Sequence, residues 1–143
     1  MPVIPYYELP DEWHVLIVDD NQFVLNLATK MLSNPGMRLT TCLMGEEAYE
    51  VACKEHPHAI LLDRRLLDTS GNTILQRLKN NPATEDIPVA MISSDDNERH
   101  IVQSLAYGAV DYIVKPFSLS TLNTKVRSLL KNGNKDLDLF TYV

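Results

Sequence analysis

The chain is poor in the residues that mark several function classes. It has two cysteines in 143 residues, Cys42 and Cys53, and neither stands in a Cys-x-x-Cys or Cys/His metal spacing. That excludes a zinc ribbon and a disulfide scaffold; both residues are expected as buried thiols in a reducing compartment. No apolar run approaches the ~20 residues that a membrane helix needs, so no membrane partner is expected. The opening Met1-Pro2-Val3-Ile4-Pro5 has neither a basic segment nor a long apolar stretch, so it does not read as a signal peptide, and a cytoplasmic location is expected. Lys and Arg number 13 against 19 Asp and Glu, for a net charge of −6. No Lys/Arg-rich run interrupts that excess, so direct nucleic-acid binding by this chain is not expected. There is no internal repeat and no low-complexity tract.

What is present is the material for a core. Hydrophobic residues make up 45% and charged residues 22%, which at this length suits one domain around one interior. Residues 1–12 carry Pro2, Pro5, Pro10, Tyr6 and Tyr7 and read as an extended arm. The folded body is expected over 13–132, and 133–143 as a tail or the start of a linker. Within the body, nearly continuous apolar runs at 14–18, 59–62, 89–92 and 112–114 suit strands covered on both faces. The more mixed run 37–42 suits an edge strand. Helical spacing separates these runs. Phe23, Val24, Leu27, Ala28, Met31 and Leu32 mark one helix face, stopped by Asn34-Pro35-Gly36. Ala48, Val51 and Ala52 mark a second, ending before Pro57. Ile74, Leu75 and Leu78 mark a third, ending at Asn80-Asn81-Pro82. Ile101, Val102 and Leu105 mark a fourth, with Gly108 set for the position after the cap. Leu119, Leu122, Val126, Leu129 and Leu130 mark a fifth, closed by Asn132-Gly133. Five strands alternating with five helices predict an α/β fold with right-handed crossovers. The expected architecture is a doubly wound (βα)5 three-layer sandwich, flavodoxin-like, with a parallel five-stranded sheet in the order 2-1-3-4-5.

In such sheets ligands bind beyond the carboxyl ends of the strands. The polar residues expected there are Asp19 and Asp20 after strand 1, Asp63 after strand 3, Ser93 after strand 4 and Lys115 after strand 5. Each has an ordinary explanation alone; Asp20, for instance, serves equally as the cap of the next helix. Together they place three carboxylates, a hydroxyl and an ammonium on one rim. Carboxylates so close repel and call for a cation, and an all-oxygen site suits Mg2+ partnered by a phosphate. The lysine and hydroxyl are then placed for the anion's oxygens. The set points to phosphoryl transfer onto a carboxylate.

These residues resemble the response-regulator receiver family over about 13–131. The resemblance rests on Val15-Leu16-Ile17-Val18-Asp19-Asp20-Asn21, on Ala59-Ile60-Leu61-Leu62-Asp63 with Gly71 eight residues on, on Pro88-Val89-Ala90-Met91-Ile92-Ser93, and on Gly108-Ala109-Val110-Asp111-Tyr112-Ile113-Val114-Lys115-Pro116-Phe117. The separations agree as well, at 30 residues from Asp63 to Ser93 and 52 from Asp63 to Lys115. By resemblance, Asp63 is the phosphoacceptor and Lys115 the lysine that pairs with the phosphoryl oxygen. Asp20 is implied as the direct Mg2+ ligand, Asp19 as the acid acting through water, and the Arg65 backbone carbonyl as a further ligand beside Asp63; Mn2+ is the expected substitute. Ser93 is the implied switch hydroxyl and Tyr112 the aromatic that follows it. The Lys115–Pro116 bond is implied to be cis.

The sequence departs from the family after the phosphoacceptor. Leu66-Leu67 stands where Met-Pro is usual, and the missing proline leaves that loop less restricted, although Gly71 keeps its path. Arg65 and Asp95, each two residues past a site residue, are implied to tune phosphoryl lifetime. Their opposite charges lead to the expectation that they meet across the mouth of the site. The implied function is a phosphorylation-dependent switch in a two-component phosphorelay, fed by phosphohistidine of a sensor histidine kinase or phosphotransfer protein. Its output would be a change in the face made by helix 4, strand 5 and helix 5. It is not expected to be an enzyme beyond its own phosphotransfer and slow autodephosphorylation. Winged-helix members dimerise through salt bridges on that face, but Ile101, Ala106 and Thr121 cannot supply them here, and only Asp111 with Lys125 remains. A monomer or weak phosphorylation-dependent dimer is expected, standing alone or as part of a longer regulator. The competing readings are a pseudo-receiver that binds partners without phosphorylation and a small aspartyl-phosphate phosphatase. The latter wants an Asp-x-Asp pattern that Asp19-Asp20-Asn21 does not supply.

Overall fold

The apolar runs pair side by side, because a strand covered on both faces leaves only its edges for hydrogen bonding. The computed structural model describes residues 12–133. In chain order the elements are β1 (Trp13–Val18), α1 (Gln22–Leu32), β2 (Met37–Cys42), α2 (Gly45–Glu55), β3 (Ala59–Asp63), α3 (Gly71–Lys79), β4 (Val89–Ser93), α4 (Glu98–Ala106), β5 (Asp111–Val114) and α5 (Leu119–Gly133). The strands form one parallel sheet in the order β2-β1-β3-β4-β5, as expected, with the mixed strand β2 at an edge. The arm expected over 1–12 and the tail over 133–143 lie outside the described residues, except for Glu12 and Gly133.

Strand alternation sends successive side chains to opposite layers. Val15 and Ile17 of β1 pack with Leu25, Ala28 and Leu32 of α1 and with Leu122, Val126 and Leu129 of α5. Leu16 and Val18 pack on the other face with Ala48 and Ala52 of α2 and Ile74, Leu75 and Leu78 of α3. Each fully buried Leu or Ile contributes about 1.5–3 kcal/mol of transfer free energy. α4 is the exception among the helices. Ser104 is its one buried residue, while Val102 and Leu105 are exposed.

The helix ends follow local chemistry. Asn21 caps α1, its side-chain oxygen accepting from Phe23 N at 2.8 Å and Val24 N at 3.3 Å. Asp20 is therefore not the cap, which removes its ordinary explanation. Ser70 caps α3 and Asn97 caps α4 in the same way. Gly108 follows the α4 cap at φ +113, a backbone that side-chain-bearing residues rarely adopt. Of the two thiols expected to be buried, Cys42 is buried, but Cys53 is only half-buried. It lies on α2 beside the Asn81 side chain, 3.6 Å away, at the margin of the layer.

Candidate functional site

The parallel sheet delivers β1, β3, β4 and β5 to one edge, and the polar rim forms there. Asp19 follows β1 and is fully buried; Asp20 beside it is exposed; Asp63 ends β3 and is buried. These three offer carboxylate oxygens that all lie within 4.8 Å of one another. Lys115, one residue past β5, reaches between two of them. Its Nζ is 2.6 Å from Asp19 Oδ2 and 3.1 Å from Asp63 Oδ2. Asp19 Oδ1 accepts from Asn21 N at 2.9 Å. Asp19 Oδ2 meets Lys115 as an ion pair and makes no hydrogen bond of regular geometry among the described residues.

The electrostatics follow from this crowding. Burial pushes the Asp19 carboxyl up to about 6; Lys115 and the Asn21 N–H pull it down, and the Asp63 charge raises it again. Burial draws Lys115 down, but the Asp19 and Asp63 carboxylates outweigh burial and hold it above the ordinary lysine value. Three carboxylates against one ammonium leave two negative charges in excess. A cluster of carboxylate oxygens within 4.8 Å of one another, an all-oxygen donor set and that excess of negative charge fit a hard divalent cation.

Ser93 ends β4 and is buried, with its Oγ accepting from Asp95 N at 3.0 Å. Tyr112 of β5 donates its hydroxyl to the Asp95 carbonyl at 2.6 Å. The Lys115–Pro116 bond is cis. The sheet thus brings Asp19, Asp20, Asp63 and Lys115 together, with Ser93 on the neighbouring strand and Tyr112 tied to the loop that follows it.

Arg65 requires a correction. The partner of Asp95 is Arg64, through its Nη1, and not Arg65. Arg64 N still bonds Ile92 O at 3.3 Å, so Arg64 remains alongside β4 and faces the residues that follow Ser93. Arg65 has left that ladder. It forms an isolated antiparallel bridge with Ser70, donates its N–H to Asp63 Oδ1 at 3.3 Å, and is exposed.

The loop after Asp63 is pinned without the usual proline. Gly71 N bonds Arg64 O at 2.8 Å and Leu66 N bonds Thr69 O at 3.1 Å. The Asp68 carboxylate accepts from Gly45 N at 2.7 Å and Glu46 N at 3.0 Å, tying the loop to the start of α2. Those two backbone bonds hold the Asp68 carboxyl below its ordinary range. Arg64, Asp68 and His100, whose Nδ1 also meets Asp95, are polar residues that sequence reasoning missed. Each acts through a partner distant in sequence or on another element, and no local pattern announces such a pair.

The family model described as the response regulator receiver domain matches residues 15–127. The chain is 33% identical over 124 residues to the phosphate regulon transcriptional regulatory protein PhoB of Rhizobium meliloti (strain 1021), covering 86% of this chain and 54% of that protein. It is 32% identical over 117 residues to the response regulator PleD of Caulobacter vibrioides (strain NA1000 / CB15N), covering 82% of this chain and 26% of that one. The chain therefore spans about half the length of PhoB and a smaller share of PleD. Among solved structures, the receiver domain of NtrX from Brucella abortus superposes with a TM-score of 0.75 at 28% identity, covering 82% of this chain and 98% of that one. Chemotaxis response regulator CheY4 of Vibrio cholerae shares the fold, with a TM-score of 0.78 at 24% identity over 83% of this chain and 99% of that one. Matched along most of its length and carrying an acid cluster at the expected sheet edge, the chain belongs to the response regulator receiver family of two-component signalling.

Proposed function

We propose that Asp63 accepts a phosphoryl group from phosphohistidine on a sensor histidine kinase or a histidine phosphotransfer protein. One observation carries this reading: Asp63 is buried against Asp19 and Asp20, with Lys115 Nζ at 3.1 Å from its carboxylate. Asp19, Asp20, Asp63 and the Arg65 backbone carbonyl would hold Mg2+, with Mn2+ as a substitute. Bound there, the metal neutralises charge on the phosphoryl oxygens. The chain's own residues do the rest. An Asp63 carboxylate oxygen attacks phosphorus in line, and the P–N bond of the donor breaks with its electron pair left on the imidazole nitrogen. Lys115 pairs with an oxygen of the transferred group. Ser93 turns from Asp95 N toward another oxygen, Tyr112 follows, and the face formed by α4, β5 and α5 shifts population.

Water slowly hydrolyses the aspartyl phosphate, releasing inorganic phosphate and regenerating the Asp63 carboxylate. Arg65 and Asp95 act on this lifetime separately, since Asp95 is paired with Arg64. The functional unit is residues 13–132, flanked by the arm and the tail. PhoB, named as a transcriptional regulator, is about twice the matched length, so output lies with another segment or an output partner. The proposed place of action is the cytoplasm; among the described residues no helix is long and apolar enough to cross a membrane. Lys125 pairs with Asp111 within the chain at 3.0 Å, which occupies the remaining charges of the winged-helix type of dimer and favours a monomer or a weak phosphorylation-dependent dimer.

The test is labelling with acetyl phosphate and Mg2+. Asp63→Asn is expected to abolish incorporation while the protein stays folded; undiminished labelling of that variant refutes the assignment.

A further inference from the structure

Residue 95 lies where β4, β5, α4 and the loop after β3 meet. Its N–H donates to Ser93 Oγ on β4 at 3.0 Å, and its carbonyl accepts from the Tyr112 hydroxyl on β5 at 2.6 Å. Its carboxylate takes Arg64 Nη1, from the residue next to Asp63, and His100 Nδ1 of α4 at 2.5 Å. The same carboxylate accepts from Asn97 N at 2.9 Å. The N–H, the carbonyl and the carboxylate of Asp95 are thus all engaged, each by a group that links it to the site or to the switching face.

α4 is the element with most need of such a tether. It buries only Ser104, whose hydroxyl donates to Asn72 Oδ1 of α3 at 3.0 Å, and it leaves Val102 64% exposed. A helix held more by polar bonds than by apolar burial shifts at low cost. Bonds to an ionised carboxylate are the strong members of such a set.

We propose that Asp95 is a positioning residue that couples the state of Asp63 to α4, with Arg64 anchoring it beside the phosphoacceptor and His100 gripping the helix. This rests on the reading of Asp63 as phosphoacceptor. When Ser93 Oγ turns toward a phosphoryl oxygen, the Asp95 N–H loses its acceptor and the loop shifts. The His100 bond carries that shift into α4, and the Tyr112 bond carries it into β5. Arg64 opposes the shift in the unmodified protein.

The test uses the full chain with beryllofluoride and Mg2+ in place of the phosphoryl group, read by amide NMR. In the wild type, amides at Asp63, Ser93 and Lys115 and those of Glu98–Ala106 are expected to move. In His100→Ala, the site amides move with the same beryllofluoride midpoint, while the α4 displacements fall to about half or less. His100→Asn, which returns a side-chain N–H near the Nδ1 position, restores them; a general packing defect would not be rescued in this way. In Arg64→Ala, the α4 amides are expected to lie part of the way toward the complex before any beryllofluoride is added. A full α4 response in His100→Ala, or unmoved α4 amides in free Arg64→Ala, overturns the coupling. Absence of any shift at Asp63 and Lys115 in the wild type overturns the phosphoacceptor reading itself, and the coupling with it.

Discussion

Gly71 closes the loop that leaves Asp63, and it does so by lying against the strand it came from. A Cβ at this position would stand 1.9 Å from the Asp63 carbonyl oxygen and 3.0 Å from Arg64 Cα. Both are backbone atoms at the end of β3, so neither can turn aside as a side chain would. Gly71→Ala must displace the loop or the end of β3. The expected cost is about 1–3 kcal/mol, as for overpacking in a core. Urea unfolding measures that cost, and the acetyl phosphate labelling rate should fall with it. A variant of wild-type stability and labelling would mean that the contact is not required. At this scale the sequence was partly legible. Asp19, Asp20, Asp63, Ser93 and Lys115 were readable because strand ends place them and family spacing names them. The Asp95 partner was misread by one residue, since only the register of β3 against β4 distinguishes Arg64 from Arg65.

At the scale of elements, α2 differs from α1, α3 and α4 in how it begins. Met44 stands at its cap position and makes no side-chain capping bond. The first N–H groups of a helix have no partner inside it, and one buried there would be costly. Asp68, from the loop after Asp63, accepts from two of them instead. One carboxylate thereby caps a helix and restrains a loop that lacks the usual proline. Asp68→Ala is expected to cost about 1 kcal/mol, the usual effect of losing a cap. It should also raise hydrogen exchange at Gly45 and Glu46 and loosen residues 64–70. Unchanged exchange at those two amides would show that water serves as well. The helices themselves were legible from their apolar faces and from stop signals such as Asn34-Pro35-Gly36 and Gly108. This cap was not, because it spans 23 residues and Asp68 matches no local capping pattern. α4 was legible as a helix but not as a lightly buried one, because Val102 and Leu105 fit an apolar face that the fold leaves largely open.

For the molecule as a whole, the parallel sheet separates chemistry at the carboxyl ends of the strands from structure at their beginnings. At that second end, His14 of β1 is buried, and its Nε2 meets Thr40 Oγ1 at 2.7 Å. His58, just before β3, accepts the His14 N–H on its Nδ1 at 2.9 Å and donates its own N–H to the His14 carbonyl at 2.8 Å. The Trp13 ring stands edge-on to His58, with centroids 5.0 Å apart. An Nδ1 that accepts a bond carries no proton, so His58 is neutral in this arrangement. Burial lowers the pKa of both imidazoles; for His14 the nearby Arg38 charge lowers it further, against the pull of Glu55. Below the ordinary value of 6.5, the unfolded chain therefore takes up protons that the folded chain refuses. Stability present above that pH is lost as pH falls through the folded values. Asp19 works in the opposite sense: raised to about 6, it adds stability to the metal-free protein as pH falls. Comparing two proteins that both carry Asp19 removes that contribution. His58→Asn keeps an acceptor near the Nδ1 position but does not titrate. The wild type is expected to lose more thermal stability than His58→Asn between pH 7.5 and 5.5, and its His58 NMR titration should have a midpoint below 6.5. Equal losses in the two proteins, with a His58 midpoint at or above 6.5, would place the acid sensitivity outside this end of the sheet.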